Sequence, residues 1–403
     1  MSAGVSILIV AATLVLMLVR PRGIGEAWVA AGGASAMLLA GQLHTADVRA
    51  AFDGTADVLL FLLGMMVLTA LVEQAGVFER LAEWCARLAR GSGRLLFVIV
   101  FLIGAVVTAL LSLDVTVIML TPIVYAIAVR RRLDALPFMF ACTFVANTAS
   151  LVLPISNLTN LLVYHQLNLD FVQFAAQMWV PNLVAVAVNL AIFLWLFRDR
   201  LPVRFELVGA EALPAVDWWL IASSVMLTAT LIALVGLGLS HHPLAWGALA
   251  GGALLFAIGV IGRKARPGQI AREISWPLFV FVIGMFLVVR GLEHAVLEGA
   301  ITSLPTDPAR ALITGAVTAA IGSNIVNNVP MTLLALSLAD RAAGEARSAF
   351  AYGTLLGANI GPTLTTYGSL ATMLWLTLIR KRGIDIKTGE YLRVGLLTMP
   401  LVL

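Results

Sequence analysis

Apolar stretches long enough to cross a bilayer recur along this chain, and arginine and lysine gather between them. A helix needs about 20 apolar residues to span the hydrocarbon. Candidate spans run at 4–19, 25–44, 58–75, 135–165, 173–197, 217–239, 243–262, 275–292, 346–379 and 391–403. Two further apolar stretches, 95–129 and 309–339, carry polar residues at their middles. A soluble protein is roughly 45–50% apolar and about 25% charged. This chain of 403 residues is 61% hydrophobic and 12% charged, too little charge to cover a soluble surface, so lipid must cover it. That excludes secreted disulfide scaffolds, nucleic-acid modules and disordered regulators. Two cysteines, Cys85 and Cys142, make neither a disulfide framework nor a metal cluster, and no cofactor or metal is expected. The first stretch is no secretory signal, because Arg20 and Arg22 follow its apolar part and no small-residue cleavage site appears. The last stretch is short and stops abruptly at Leu403, the pattern of a trimmed chain.

Positive charge sets orientation. Six groups, around Arg20, Arg80–Arg94, Arg130–Arg132, Arg198–Arg204, Arg263–Arg272 and Arg380–Arg393, hold 21 of the 26 Lys and Arg residues. Placing all six in the cytoplasm obeys the positive-inside rule, provided 95–129 enters and leaves on the cytoplasmic side and 309–339 on the outer side. Each is too short for two full spans plus a turn, so both read as re-entrant hairpins, which survive at membrane depth only when buried in protein or lining a cavity. The expectation is ten crossings, two hairpins and both termini outside. Segment 76–93 is amphipathic and suits the cytoplasmic interface. Trp218, Trp219, Trp246 and Trp276 lie near span ends, where aromatic belts form.

The chain also resembles itself. Residues 147–162 align without a gap to 359–374, at an offset of 212, and the same offset sets 112–119 against 324–331. FLLGM at 61–65 matches FVIGM at 281–285, which places Glu73 on Glu293. Five crossings per copy invert the second copy relative to the first, the architecture of secondary transporters whose substrate sits between the copies. The fold expected is an all-α polytopic membrane protein of two inverted repeats. Each repeat has five transmembrane helices, one re-entrant hairpin and one broken helix. They cover 1–200 and 217–403, joined by a cytoplasmic linker at 201–216.

Four polar breaks interrupt the apolar helices: Ser112–Thr116, Ala146–Ser150 followed by Pro154, Gly322–Pro330, and Gly357–Thr363 with Gly361 and Pro362. Gly and Pro unwind a helix and free backbone groups that need a ligand or water. Asn and Thr offer donors and acceptors, suiting a small hydroxylated solute. Asn147, Thr148, Asn327, Asn328 and Asn359 are the expected solute cage, closed by Ser112 and Thr116. Asp114 is the one acid at mid-membrane depth. A charge there costs about 2.5 kcal/mol or more, which marks it as a proton or cation handle. Glu73 and Glu293 near helix ends read as scaffold caps, and His165, His241 and His242 as outer residues. Trp179 and Tyr367 are weaker candidates for the cavity wall.

At SLDVTVIMLTP (112–122), VANTASLVLPISNLTNLLV (145–163), GSNIVNNVPMTLL (322–334) and GANIGPTLTTYGSLATMLW (357–375) the chain resembles the arsenical pump membrane protein family, the arsenite permeases, within the ion transporter superfamily. The resemblance covers nearly the whole length. It implies an inner-membrane exporter of arsenite and antimonite, driven by protons or coupled to a soluble arsenite-stimulated ATPase subunit. It also implies elevator movement of both hairpins and both broken helices. Where related sodium–dicarboxylate carriers have Ser-Asn-Thr, the first tip here reads Leu-Asp-Val-Thr, which favours protons over sodium. Neither cysteine sits at a break, so hydrated As(OH)3 held by hydrogen bonds is expected, not thiolate ligation. The alternatives are transport of silicate, a carboxylate or sodium against protons. No Lys or Arg falls in the breaks, which argues against an anion. A membrane scaffold is disfavoured because no soluble domain is present, and an intramembrane enzyme because no His/Glu or Ser–His pattern lies at depth. Oligomeric state has no signature in the sequence.

Overall fold

A computed structural model describes residues 2–19, 24–202, 204, 216–240, 242–292, 304–339 and 344–403. Arg20, Arg22, His241, Glu293 and most of the 201–216 linker lie outside the described residues. Every element among the described residues is helical. In chain order these are α1 Ser2–Val19, α2 Glu26–Leu39, α3 Thr45–Gln74, α4 Val77–Leu88 and α5 Gly93–Leu111. Next come α6 Leu113–Arg130, α7 Ala135–Thr148, α8 Leu158–Gln166 and α9 Phe171–Leu196. The second half holds α10 Trp218–Leu239, α11 Leu244–Ile261, α12 Pro267–Glu273, α13 Trp276–Leu292 and α14 Pro308–Val326, then α15 Asn328–Ala339, α16 Gly344–Ile360, α17 Leu370–Arg380 and α18 Thr388–Val402. Among the described residues, seven helices are long and apolar enough to cross a membrane, or eight if the bent pair α12–α13 counts as one.

Both predicted hairpins are antiparallel pairs that turn on one residue. Gly104 of α5 faces Leu120 of α6, eight residues either side of Ser112. Gly322 of α14 likewise faces Met331 of α15 across Asn327. Because one residue suffices for each turn, the length argument for re-entry fails for 95–129. Its legs of 19 and 18 residues are each long and apolar enough to cross a membrane. Depth is indicated instead by contact. Ser156, in the interruption between α7 and α8, donates its hydroxyl to the Ala109 carbonyl at 2.7 Å, so the tip ends beside that interruption.

The two interrupted helices share one layout. The first leg ends at Thr148 or Ile360, a short 3-10 turn follows at Pro154–Ser156 or Gly361–Leu364, and the second leg is capped by Asn157 or Ser369. Leg ends and caps both repeat at the expected offset of 212. The hairpin tips do not. Ser112 and Asn327 are 215 apart, so the equivalent of Asp114 is Val329, not Val326 as the gapless alignment has it. Loop tips are fixed by backbone geometry, and the shared Val and Met letters around them mislead an alignment by three residues.

Helix packing repeats as well. A Cβ at Gly64 of α3 would strike the α11 backbone at Ala248, and one at Gly284 of α13 would strike the α2 backbone at Ala30. Gly33 of α2 receives Thr13 of α1 as Gly251 of α11 receives Thr230 of α10. Small residues that let backbones approach closely are the means by which helices associate in lipid. α14 and α16 use the same device: Gly353, Gly357 and Gly361 abut Leu312, Ala316 and Ala320. Gly357 therefore does not break its helix, which runs unbroken to Ile360; it clears room for the Ala316 carbonyl. Pro330 also lies inside a helix, in the first turn of α15, where no backbone N–H is needed. Pro154, Gly361 and Pro362 do stand at interruptions.

The amphipathic segment forms α4, with Phe78, Cys85 and Ala86 buried and Trp84 exposed. Arg131, at the end of the first hairpin, reaches Glu83 of α4 at 3.3 Å in a pair whose side chains are 9% and 19% exposed, tying this helix to the hairpin.

Candidate functional site

Ser112 and Asn327 carry the backbone strain of the tips. Their φ, ψ values of 134°, 165° and 77°, 156° fall in a region that is essentially glycine-only. Such strain costs about 1–3 kcal/mol and persists only where the surroundings impose it, typically at functional sites. At the first tip, Thr116 donates to the Ser112 carbonyl at 3.0 Å and accepts from Thr108 at 2.8 Å. At the second, Asn327 donates from Nδ2 to the Tyr367 carbonyl at 3.1 Å, and the Asn328 N–H donates to the Gly368 carbonyl at 3.0 Å.

The two interrupted helices are stitched to each other by a reciprocal set of bonds. Asn359 donates from Nδ2 to Asn160 Oδ1 at 2.8 Å, and its Oδ1 accepts from Thr159 at 2.8 Å and from Asn157 Nδ2. Asn147 occupies the matching place in the first half. It donates from Nδ2 to the Thr143 carbonyl at 2.8 Å and to Thr372 Oγ1 at 3.3 Å. Thr372 is Asn160 plus 212, as Asn359 is Asn147 plus 212, so each first leg reaches the second leg of the other half. Thr148 points elsewhere: it donates to Phe144 and accepts from Asn189 of α9 at 2.9 Å.

Asp114 lies two residues past the first tip and lines two cavities. One, of about 220 Å³, extends along α3 from Phe61 to Glu73 and reaches Glu273 of α12. The other, of about 120 Å³, runs between Asp114, Glu26 of α2, Phe281 of α13 and Leu370 of α17. A small third space of about 30 Å³ continues from Glu26 to Asn327 and Tyr367. Together they follow the seam between α2, α3 and α13 on one side and both hairpin tips on the other. Among the described residues, no Lys, Arg or His lines any of the three. Asp114 makes no hydrogen bond or ion pair among the described residues. The Oδ1 atoms of Asn147, Asn327 and Asn328 are buried and likewise accept no bond there.

Of the residues expected from the sequence, the structure gathers Ser112, Asp114 and Asn327 along this seam. Asn147 and Asn359 lie behind it, fully buried in the stitch between the interrupted helices, and Thr116 is spent on bracing the first tip. Asn157, Thr159, Asn160 and Thr372 went unassigned, although the ISNLTN run and its offset partners carried the signal. Glu26 opens an otherwise ordinary span and gave none. Tyr367 lines the small third space, as expected of a wall residue, whereas Trp179 is 54% exposed and faces outward. His165 is engaged, with Nε2 at 2.7 Å from Asp57 of α3. Both thiols are buried. Cys85 donates to the Leu81 carbonyl, and burial pushes its thiol up to about 11.

Comparison with known proteins shows what the chain is similar to. Residues 12–357 match the citrate transporter family, CitMHS. The arsenical pump membrane protein of Escherichia coli K12 is 32% identical over 410 residues, covering 97% of this chain and 94% of that one. A putative arsenical pump membrane protein of Bacillus subtilis is 22% identical, covering 96% and 95%. Among solved structures, the YdaH transporter of Alcanivorax borkumensis superimposes with a TM-score of 0.55 at 15% identity, over 88% of this chain and 84% of that one, a likeness of fold. The hydropathy, the helical bundle and these matches together make the chain a member of the citrate transporter family and of the arsenical pump membrane proteins, multi-pass transporters of bacterial membranes.

Proposed function

We propose that this protein exports arsenite and antimonite as neutral As(OH)3 or Sb(OH)3 in exchange for protons. Two halves of opposite orientation carry the solute by elevator movement of the hairpins and interrupted helices. The observation that carries the reading is Asp114: a carboxylate without a partner among the described residues, beside a strained tip, on a seam that no described cationic side chain lines. The recurrence of helix ends, caps and glycine contacts in both halves supports the two-fold plan.

In this reading ionised Asp114 accepts a hydrogen bond from an As–OH group. Ser112 and the open Oδ1 atoms of Asn327 and Asn328 accept the others. Protonation of Asp114 from the outer side turns it from a charged into a weak neutral acceptor and releases the solute, and the neutral acid returns. In the loaded carrier the As–OH donors solvate the Asp114 charge, whereas a bare charge at membrane depth is costly, so the empty carrier moves only when Asp114 is protonated, which is the origin of exchange. Asn147 and Asn359 hold the two interrupted helices in register behind the tips. The proton gradient drives export in this reading. A carboxylate substrate is the second reading, favoured by the citrate transporter match; the absence of cationic lining along the seam among the described residues counts against it.

Everted membrane vesicles test this. With a proton gradient imposed, the wild type accumulates arsenite and citrate does not compete. Asp114→Asn, which keeps the shape and removes the titratable proton, abolishes gradient-driven accumulation while the protein remains folded. Undiminished accumulation by that variant rules out the proton role, and strong competition by citrate replaces the solute.

A further inference from the structure

The 220 Å³ cavity beside α3 has features that neither proton exchange nor a hydroxylated solute requires. Phe61, Met65 and Met66 of α3 form one wall, and Ile118 and Met119 of α6 form another. Three carboxylates line it as well: Asp114, Glu73 near the end of α3, and Glu273 of α12. Glu73, like Asp114, has no hydrogen-bond or ion-pair partner among the described residues, whereas Glu273 accepts from Gln74 and Gln269. A small neutral hydroxide gains nothing from thioether and phenyl walls. Three ionised acids with no basic residue among the described lining are unfavourable in an apolar cavity unless they take up protons or a cation joins them.

We propose that this cavity binds a small amphiphilic monocation, an ammonium group carried on an apolar body. The body would displace water from the apolar walls, at about 25 cal/mol per Å² buried. Flexible methionines adapt to its outline, and the ammonium is held among Glu73, Glu273 and Asp114. The cavity has the volume of about seven waters and is smaller than the roughly 300 Å³ of a drug-sized pocket, which limits the body to about one ring. Because the walls come from α3 and α12 on one side and the first hairpin on the other, such a ligand wedges between parts that the elevator reading requires to slide. It therefore acts as an inhibitor. The binding site itself stands on the cavity, not on the identity of the transported solute.

Phenethylammonium is the probe, with 2-phenylethanol as its uncharged analogue, both titrated against the full-length protein in detergent and read as thermal stabilisation. The expected result is saturable stabilisation by the ammonium and at least ten-fold weaker binding of the alcohol. Glu73→Gln combined with Glu273→Gln should weaken ammonium binding at least ten-fold, and Met119→Trp, which fills the space, should abolish it. Melting without ligand shows that each variant is folded. If the double carboxylate variant does not fold, Met119→Trp decides. Equal stabilisation by ammonium and alcohol, or undiminished ammonium binding in a folded variant, overturns the proposal. Arsenite is absent from the assay, so failure of the export reading and failure of this site are told apart.

Discussion

Asn359 Nδ2 lies 2.8 Å from Asn160 Oδ1, and the first half repeats the contact between Asn147 and Thr372 at 3.3 Å. Each pair joins the first leg of one interrupted helix to the second leg of the other. The two are not equal. Asn359 satisfies Asn157, Thr159 and Asn160 together, whereas Asn147 satisfies only Thr143 and Thr372. Interhelical hydrogen bonds in membranes average about 0.6 kcal/mol, but abandoning buried partners costs about 1–3 kcal/mol. Asn359→Ala should therefore lower stability by roughly 2–3 kcal/mol, more than Asn147→Ala, as read by thermal unfolding in detergent. Equal losses would show that the stitch is not asymmetric.

The α14–α16 contact yields a sharper comparison. A Cβ at Gly357 meets the Ala316 backbone, while one at Gly236 of α10 meets nothing within 4 Å. Gly357→Ala must push two backbones apart and should abolish a monodisperse peak in size-exclusion chromatography. Gly236→Ala should be neutral or stabilising by up to about 1 kcal/mol, the helix-propensity difference. A well-behaved Gly357→Ala protein would mean that the helices separate without cost.

At the start of α10, Asp217 accepts from Lys264 Nζ at 2.7 Å and caps the helix by accepting from the Leu220 N–H at 2.9 Å. The Lys264 hydrogen bond is the main cause holding its carboxyl below the usual carboxylate range. A lowered folded value means the stabilisation is complete above the ordinary carboxylate pKa and is lost as pH falls through the lowered value. Melting temperature measured from about pH 5 down to about pH 3 should fall more in the wild type than in Asp217→Asn, which keeps a cap and cannot titrate. Parallel curves would remove Asp217 from the acid response.

How much of this was legible beforehand follows from the physics of each signal. Hydropathy is an additive property of a window, so the spans at 173–197, 217–239 and 243–262 reappear as α9, α10 and α11 nearly at their expected bounds. Leg ends at Thr148 and Ile360 were legible because Asn, Gly and Pro mark them. The three-residue slip at the tips was not, since a turn on Ser112 in one hairpin and Asn327 in the other leaves no shared letter. Nor does the type of residue reveal its partner. Asn147, Asn327 and Asn359 are chemically identical, and only packing decides which stitch helices and which face a seam. Gly357 looked like a breaker because glycine serves close approach and unwinding alike.

The thiols separate hydrogen-bonded capture of arsenite from covalent capture. Trivalent arsenic bonds to thiolates, and only the thiolate is the ligand. Cys85 is buried with its thiol raised to about 11, so almost none is ionised at neutral pH, and its proton is given to the Leu81 carbonyl. Cys142 is buried in the apolar cluster that α7 forms with the first hairpin, and the lining of the three seam cavities includes neither cysteine. Cys85→Ala with Cys142→Ala should therefore leave arsenite accumulation in everted vesicles within about two-fold of wild type; removing a buried sulfur costs at most about 1–2 kcal/mol of packing. A folded double variant that no longer moves arsenite would require a thiol on the path, and the hydroxide cage at Asp114, Asn327 and Asn328 would have to be abandoned.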